Sequence, residues 1–301
     1  MQIAITGSSG LIGTALVTDL RQRGHEVIRL VRRAPAGAGE VRWDPGAPGG
    51  GLAPGALTGI GAAVNLAGAG VADRRWTESY KAEIRASRLA ATGALASALT
   101  ALDPPPAVLL QASAIGWYGD TGGREVDETS PAGTGFLPDL VQAWEGATGP
   151  VRDAGIRVVT MRTGLVLSPG GGMLARLLLP FRLGLGARLG PGTQAMSWIT
   201  IADYLAAVAF LLATPELSGP VNLTAPHPAT NAEFTAALGA ALHRPAVLTV
   251  PTPALRLLLG EVSSDLLSSA RVLPRRLLAA GYQFRYPRLP EALAALLAGP
   301  G

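Results

Sequence analysis

The chain of 301 residues contains no cysteine and only three histidines. The missing cysteine excludes disulfides, thiolate metal sites and a cysteine nucleophile. His25, His227 and His243 are scattered along the sequence, which argues against a histidine-based metal centre. We therefore expect no bound metal.

Charge and long apolar runs are also scarce. Charged residues make up 15% of the chain and the formal net charge is +4. No lysine/arginine block or basic-aromatic tract appears, so nucleic acid is not an expected partner. The longest apolar stretches, such as residues 205–213, are too short to span a bilayer. Because no basic segment with a cleavage site opens the sequence, we expect a cytoplasmic protein without a membrane partner.

Short apolar, β-branched runs alternate with amphipathic helical patterns over the first two thirds of the chain. Such alternation predicts an α/β protein with a doubly wound parallel sheet. The predicted strands cover residues 2–6, 26–31, 62–66, 107–112, 156–161, 198–201 and 221–223, with a further short one at 41–43. The first predicted helix follows Gly7 and ends at Gly24. Three more are predicted, at residues 77–102, 136–153 and 203–213.

The regular alternation weakens after Leu167. Residues 168–198 are interpreted as an excursion from the sheet toward the substrate side. We expect residues 1–245 to form the nucleotide-binding core. Residues 246–301 are expected to form a small, mainly helical region that covers the substrate and includes the segment 282–286 near its end.

A glycine-rich loop stands between the first strand and the first helix. It reads Thr6-Gly7-Ser8-Ser9-Gly10-Leu11-Ile12-Gly13. Gly7 allows a tight turn, Gly10 lets the backbone approach a pyrophosphate, and Gly13 lets helix and strand pack closely. The N-terminus of the helix attracts phosphate through unpaired N–H groups and its dipole. The loop therefore predicts a Rossmann dinucleotide site at Gly7, Ser9, Gly10, Leu11, Ile12 and Gly13; a glycine-rich turn without a ligand is the alternative.

The residues after the second strand bear on which dinucleotide is bound. An NAD enzyme usually carries Asp or Glu there, to accept from the ribose 2′-hydroxyl. This chain has Arg32-Arg33 instead, which would pair with a 2′-phosphate. The pair favours NADP(H) over NAD(H), and the alternative is a solvated basic loop.

From Asn65-Leu66-Ala67-Gly68 onward the chain resembles the extended and atypical short-chain dehydrogenase/reductases. The resemblance is sharpest to their "epimerase family protein" subgroup, which joins an NAD-dependent epimerase/dehydratase domain to a C-terminal domain of unknown function. It covers about residues 1–296. The motifs that carry it are Arg75-Trp76-Thr77, Lys81, Ser87-Arg88, the run from Ser113 to Asp120, Trp144-Glu145, the run from Arg162 to Leu167, Gly170-Gly171-Gly172, Met196-Ser197-Trp198-Ile199, Asp203 and His243-Arg244-Pro245.

The resemblance implies further cofactor contacts. Leu66 and Ala67, with Gly68, would line the adenine ribose side, and Leu165 or Val166 would close over the nicotinamide. Glu83 and Arg88 would lie near the cofactor, and for Arg88 a solvated basic helix face is an equal alternative. Relatives often dimerise through the two long helices of the core, here 77–102 and 136–153, so a homodimer is possible, although both helices would also look amphipathic in a monomer.

The chain departs from the catalytic pattern of the short-chain reductases. Those enzymes carry a Tyr-x-x-x-Lys pair that moves the proton while hydride is transferred. Here Leu137 and Val141 stand at the two expected positions, and neither side chain can move a proton. Tyr118 and Ser113 are the catalytic candidates, with Lys81 as a further titratable group. The favoured alternatives are that Ser113 hydrogen-bonds near the nicotinamide in a binding role and that Tyr118 is a packing residue.

A substrate pocket would require flat apolar surface together with a few polar groups. The residues predicted to line it are Trp76, Trp117, Met196, Ser197, Trp198 and Asn222, although the tryptophans could equally be core residues. Two functions remain open. The first is an NADP(H)-dependent oxidoreductase or nucleotide-sugar epimerase-like enzyme with a small-molecule substrate. The second is a non-catalytic NADPH sensor or regulatory protein.

Overall fold

The computed structural model describes residues 1–298, apart from the side-chain environments of residues 48, 49 and 259. The strands are β1 (Gln2–Thr6), β2 (Glu26–Val31), β3 (Glu40–Arg42), β4 (Ala62–Asn65), β5 (Val108–Ala114), β6 (Glu125–Val126), β7 (Arg157–Thr163), β8 (Leu165–Leu167), β9 (Ala187–Leu189), β10 (Ala195–Met196), β11 (Trp198–Thr200), β12 (Gly219–Leu223), β13 (Ala229–Thr230), β14 (Leu248–Val250) and β15 (Arg271–Val272). The helices are α1 (Leu11–Gln22), α2 (Glu78–Thr100), α3 (Phe136–Gly146), α4 (Gly149–Asp153), α5 (Gly172–Arg182), α6 (Ile201–Ala213), α7 (Asn231–Ala241), α8 (Thr252–Leu259), α9 (Val262–Leu266), α10 (Arg275–Ala279) and α11 (Leu289–Leu297).

Seven parallel strands form the central sheet in the order β12-β7-β5-β4-β1-β2-β3. Side chains alternate between its faces, as strand geometry requires. Ile3 and Ile5 pack in the layer of α1 and α6, while Ala4 between them packs in the layer of α2 and α4. Helices thus cover both faces, and the predicted doubly wound α/β fold is confirmed.

Most of the predicted elements of the core occur where the pattern places them. The long helix predicted at 77–102 is α2, which Thr77 caps by accepting a hydrogen bond from the Tyr80 amide. The prediction of a single helix at 136–153 is wrong, because the structure divides this segment into α3 and α4. Pro150 lacks an N–H and its ring would clash with a helical carbonyl four residues earlier, which favours a break before it, and Pro150 stands in the first turn of α4.

The C-terminal part contains more regular structure than the sequence predicted. Helix α7 was not predicted, although Thr230 and Glu233 form a capping box at its start. Helix α11 follows the 282–286 segment. Strand β14 pairs with β9, and β15 pairs with β6. The region is therefore mainly helical, but short strands attach it to the core.

A separate apolar cluster lies beneath the 168–198 excursion. Trp198, Phe181 and Phe234 pack there with Leu293 of α11. This cluster crosses the predicted division at residues 245/246, because α7 lies before that point and α11 after it. The domain division stays a prediction, as does a dimer interface on the long helices. Within residues 1–298, no helix is both long and apolar enough to cross a membrane.

The close approach of α1 to β1 generates a stability prediction. A Cβ at Gly13 would overlap the backbone carbonyl of Gly7, which cannot turn aside as a side chain can. We expect Gly13→Ala to lower the free energy of unfolding by about 1–3 kcal/mol or more. The measurement is chemical denaturation followed by circular dichroism.

Gly93 supplies a matched control with the opposite sign. It lies on the exposed side of α2, and a Cβ there would meet no atom within 4 Å. Gly93→Ala should raise the free energy of unfolding by about 0.5–1 kcal/mol, because alanine is the better helix former. A Gly13→Ala protein as stable as the parent would contradict the packing described.

Candidate functional site

The site lies at the carboxyl edge of the central sheet, where the chain reverses its winding direction. From β1 the chain runs to β2 and β3 on one side, and then crosses to β4 on the other. The loops after β1 and β4 therefore diverge from neighbouring strands. In open α/β sheets this switch point is where ligands bind.

The glycine loop after β1 is shaped for close backbone contact. Gly7 has a φ of +63°, and a Cβ there would lie 2.6 Å from the Leu66 carbonyl oxygen. Gly10 precedes α1, and no side chain caps that helix end. The amides of its first turn, at Leu11 and Ile12, are thus available to an anion. Ser9 and Gly10 are exposed at the same end.

A buried hydrogen-bond network fixes the loop after β4 against β1. The Thr6 hydroxyl donates to Asn65 Oδ1 (2.5 Å) and accepts from the amides of Leu66 (3.0 Å) and Ala67 (3.1 Å). Asn65 in turn donates to Thr92 Oγ1 and Gln111 Oε1. The predicted contact residues Leu66 and Ala67 are therefore held beside Gly7. The part played by Thr6 was not predicted.

The two arginines after β2 differ in their surroundings. Arg33 donates to both carboxylate oxygens of Glu40 (2.6 and 2.7 Å). Arg29 donates to Glu40 (2.9 Å) and to Ser8 Oγ. The bond from Arg33, then the Ala36 amide and the nearby arginine charges, hold the pKa of Glu40 at about 2. Arg32 is exposed and forms no ion pair within residues 1–298.

Glu83 and Arg88 lie on different sides of α2. Five helical residues turn through about 140° beyond one revolution, so the two side chains diverge. Glu83 is exposed, 3.5 Å from Arg74. Arg88 is buried and donates to the Ala69 carbonyl (2.9 Å). The structure thus places Arg88 under the loop after β4 and Glu83 on the exposed side of the helix. That Glu83 lies near the cofactor stays a prediction.

Arg88 is a buried cation without a carboxylate partner in the described chain. Its guanidinium lies over the Trp144 ring at 4.8 Å, and its Nε makes no hydrogen bond there. Burial lowers its pKa to about 10. The solvated-face alternative for Arg88 is therefore excluded. Gly68 packs on its stem, where a Cβ would lie 3.1 Å from Cγ.

A second buried network joins the ends of β5, β7 and β12. The Ser113 hydroxyl donates to Glu145 Oε1 (2.5 Å). The Arg162 guanidinium donates to both oxygens of the same carboxylate (2.9 and 3.0 Å) and to the Tyr118 hydroxyl (3.2 Å). Tyr118 donates to Asn222 Oδ1 (2.8 Å). The predicted candidates Ser113 and Tyr118 are thus brought together by two charged residues to which the sequence assigned no role.

The hydroxyl protons of this network are already engaged. Ser113 and Tyr118 are at most 4% exposed. Burial raises the pKa of Tyr118, although the hydrogen bond and charge of Arg162 lower it in part. Leu137 and Val141, at the positions where the sequence analysis expects the Tyr-x-x-x-Lys pair, face Gly116 with aliphatic carbons. The assignment of those two positions stays a prediction.

The residues predicted to line a substrate pocket divide into two groups. Trp76, Trp117 and Met196 are partly exposed, as are Leu165 and Val166 of β8. The Arg162 guanidinium covers one face of the Trp117 ring at 3.8 Å.

Three of the predicted pocket residues lie in the interior instead. Trp198 is fully buried and donates to the His227 carbonyl. Ser197 and Asn222 are buried and hydrogen-bond the backbone at Val272 and Leu273 respectively. These side chains hold the C-terminal segment to the sheet, so the expectation that they line a pocket is corrected. No group of three metal-binding side chains occurs among the described residues.

Removal of one partner from the buried ion pair should be costly. Glu145→Ala would leave Arg162 charged and uncompensated, and we expect the free energy of unfolding to fall by about 3–5 kcal/mol. The exposed pair Asp19–Arg23 is the control, since Asp19→Ala should cost at most about 1 kcal/mol. Urea denaturation of both variants provides the measurement. Equal effects would contradict a buried, structurally required pair.

Comparison with known proteins gives two family matches. Residues 3–223 match the NAD dependent epimerase/dehydratase family, and residues 250–296 match a domain of unknown function (DUF1731). An epimerase family protein of Mycobacterium bovis is 49% identical over 300 residues, which cover 99% of this chain and 98% of that protein.

Two solved structures extend the likeness to the whole fold. The crystal structure of human epimerase family protein SDR39U1 (isoform 2) with NADPH is 37% identical, with a TM-score of 0.91 and 100% of each chain covered. The nucleoside-diphosphate sugar epimerase from Corynebacterium glutamicum is 36% identical with a TM-score of 0.82, covering 99% of this chain and 58% of the other. The chain belongs to the NAD-dependent epimerase/dehydratase family.

Proposed function

We propose that the crevice between the loops that follow β1 and β4 binds NADP(H). The observation that carries this proposal is the uncapped start of α1 behind Gly10, beside a loop in which Gly7 leaves room for no side chain. The same features fit a pyrophosphate, because backbone N–H groups converge on open space. The human relative whose structure holds NADPH supports the proposal.

Each part of the cofactor would meet a different group of residues. The amides of Leu11 and Ile12 would bind the pyrophosphate, and Leu66 with Ala67 would flank the adenine ribose. Arg32 would pair with the 2′-phosphate, because Arg33 is already occupied by Glu40. Leu165, Val166 and Ser113 would lie at the nicotinamide end.

Arg88 would contribute to the cofactor site by holding the loop after β4. A buried guanidinium is costly unless it is hydrogen-bonded or paired. Its hydrogen bond to the Ala69 carbonyl also fixes the loop on which Leu66 and Ala67 stand. We therefore infer that Arg88 supports the cofactor crevice from below.

We propose that the protein is an oxidoreductase or epimerase-like enzyme acting on a small molecule. NADP(H) supplies or accepts a hydride when bound. Ser113 and Tyr118 are the candidate hydroxyl groups, and they flank Gly116, which packs against Leu137 and Val141. Tyr118 would release a proton only if Arg162, which already donates to its oxygen, stabilised the phenolate.

A sensor that binds NADPH without turnover is the second candidate. Its support is the buried network itself, in which the Ser113 hydroxyl donates to Glu145 and the Tyr118 hydroxyl donates to Asn222. With Leu137 and Val141 in place of the usual pair, the two remaining hydroxyl groups are both buried and would not contact a substrate in this conformation. The two candidates differ in one measurable property, which is NADPH consumption.

The nucleotide preference can be tested at Arg32. Arg32→Asp should weaken NADPH binding at least about tenfold, because a charge-assisted bond to phosphate is lost. NADH binding should change much less. Calorimetry with both nucleotides is the measurement, and Arg152→Asp, an equal charge change at the exposed end of α4, is the control. Equal losses for NADPH and NADH would remove the assignment.

Turnover can be tested with NADPH and a panel of small carbonyl compounds. If the protein is an enzyme, Tyr118→Phe should lower the turnover rate about a hundredfold or more while NADPH affinity is kept. Ser113→Ala tests the neighbouring hydroxyl, and Tyr286→Phe, a tyrosine beside Arg285, is the matched control. Tight NADPH binding without oxidation by any compound would favour the sensor.

A further inference from the structure

Large aliphatic side chains are exposed on α5, on the turn after it and on the segment that leads into β14. Leu179, Leu183 and Leu185 are 57–67% exposed, Val247 is 84% exposed and Leu248 is 46% exposed. Single exposed leucines are common on protein surfaces, whereas several in one area mark an interaction site. These five residues are called the apolar patch below.

The two segments of the apolar patch lie side by side. The Arg244 Nε donates to the Arg182 carbonyl (3.0 Å), and Leu248 of β14 pairs with Ala187 of β9. A Cβ at Gly184 would lie 4.0 Å from the Pro245 ring. The patch is therefore one continuous surface built from residues distant in sequence.

The two chain segments that form the patch carry charge of one sign. Residues 154–202 and 234–260 contain no Asp or Glu. Arg182, Arg188, Arg244 and Arg256 are exposed there and form no ion pair within residues 1–298. Arg176, earlier on α5, does have a partner, since its guanidinium is 3.9 Å from an oxygen of Asp73 on another loop.

The excess of arginines in these segments limits which partner could cover the patch. A second copy docked symmetrically would set the same patch against itself, so arginines would meet arginines with no carboxylate between them. Nucleic acid would pair with the arginines but would leave the leucines unburied. An anionic lipid surface satisfies both, since phosphate headgroups lie directly above an apolar interior.

We propose that the apolar patch docks this protein onto anionic lipid membranes. Leu179 of α5 and Leu183, four residues later at the C-cap of that helix, would enter the headgroup boundary together. Arg182 and Arg244 would contact lipid phosphates at its rim. The proposal departs from the expectation of no membrane partner, which rested on the lack of a spanning segment, because surface docking needs no such segment. It is independent of the proposed cofactor.

The test is co-sedimentation of the full-length protein with lipid vesicles. Binding should be strong to phosphatidylcholine vesicles containing phosphatidylglycerol, weak to phosphatidylcholine alone, and reduced by salt. Leu179→Ser combined with Leu183→Ser should weaken binding at least about tenfold, because the apolar contribution is lost. The control is Leu278→Ser, an exposed leucine of α10.

A second pair of variants separates a docking surface from the general positive charge of the chain. Arg182→Glu should weaken binding about tenfold, since both an attraction is lost and a repulsion is added. Arg152→Glu changes the net charge equally, at α4, and should leave binding within about twofold. All variants alter exposed side chains, so their melting temperatures should match the parent.

Several results would overturn the proposal. The first is no binding to either vesicle. The second is binding that the leucine variants retain, or that Arg152→Glu weakens as much as Arg182→Glu. The third is a concentration-dependent dimer in sedimentation velocity that Leu183→Ser abolishes, because the patch would then be a self-association surface. If the protein binds vesicles but does not bind NADPH, only the proposed function is contradicted.

Discussion

The close approach of the loop after β1 to the loop after β4 is the contact on which the site depends. Gly7 lies so near the Leu66 carbonyl that no side chain fits between them. The Thr6 hydroxyl, which accepts from the amides of Leu66 and Ala67, holds the two loops at that distance. Because the amides at the start of α1 then face an open crevice, the fold itself creates an anion site before any ligand arrives.

Behind the crevice, a buried ion pair holds the ends of three strands together. Glu145 and Arg162 organise Ser113, Tyr118 and Asn222 into one buried network. A buried ion pair adds little stability over a well-packed apolar core. Its role here is positional, since it fixes the ends of β5, β7 and β12 relative to one another.

The predictable part of the molecule was local in sequence. Strands β1 and β2, helix α1 and helix α2 follow from hydrophobic periodicity, caps and glycine placement. The division of 136–153 into α3 and α4 could have been anticipated from Pro150, and α7 from Thr230 and Glu233. The assignments that changed were of another kind. Trp198, Ser197 and Asn222 had residue types suited to a pocket, but burial decides what a side chain can contact.

The sequence by itself determined the α/β class and the glycine loop, because each is expressed in neighbouring or regularly spaced residues. Only the tertiary structure decided that Arg33 is held by Glu40 while Arg32 is exposed, that Arg88 is buried without a carboxylate, and that Glu145 meets Arg162. It also brought Leu183 and Val247 onto one surface. These contacts join residues far apart along the chain, and no local pattern encodes which charged groups will share a buried space.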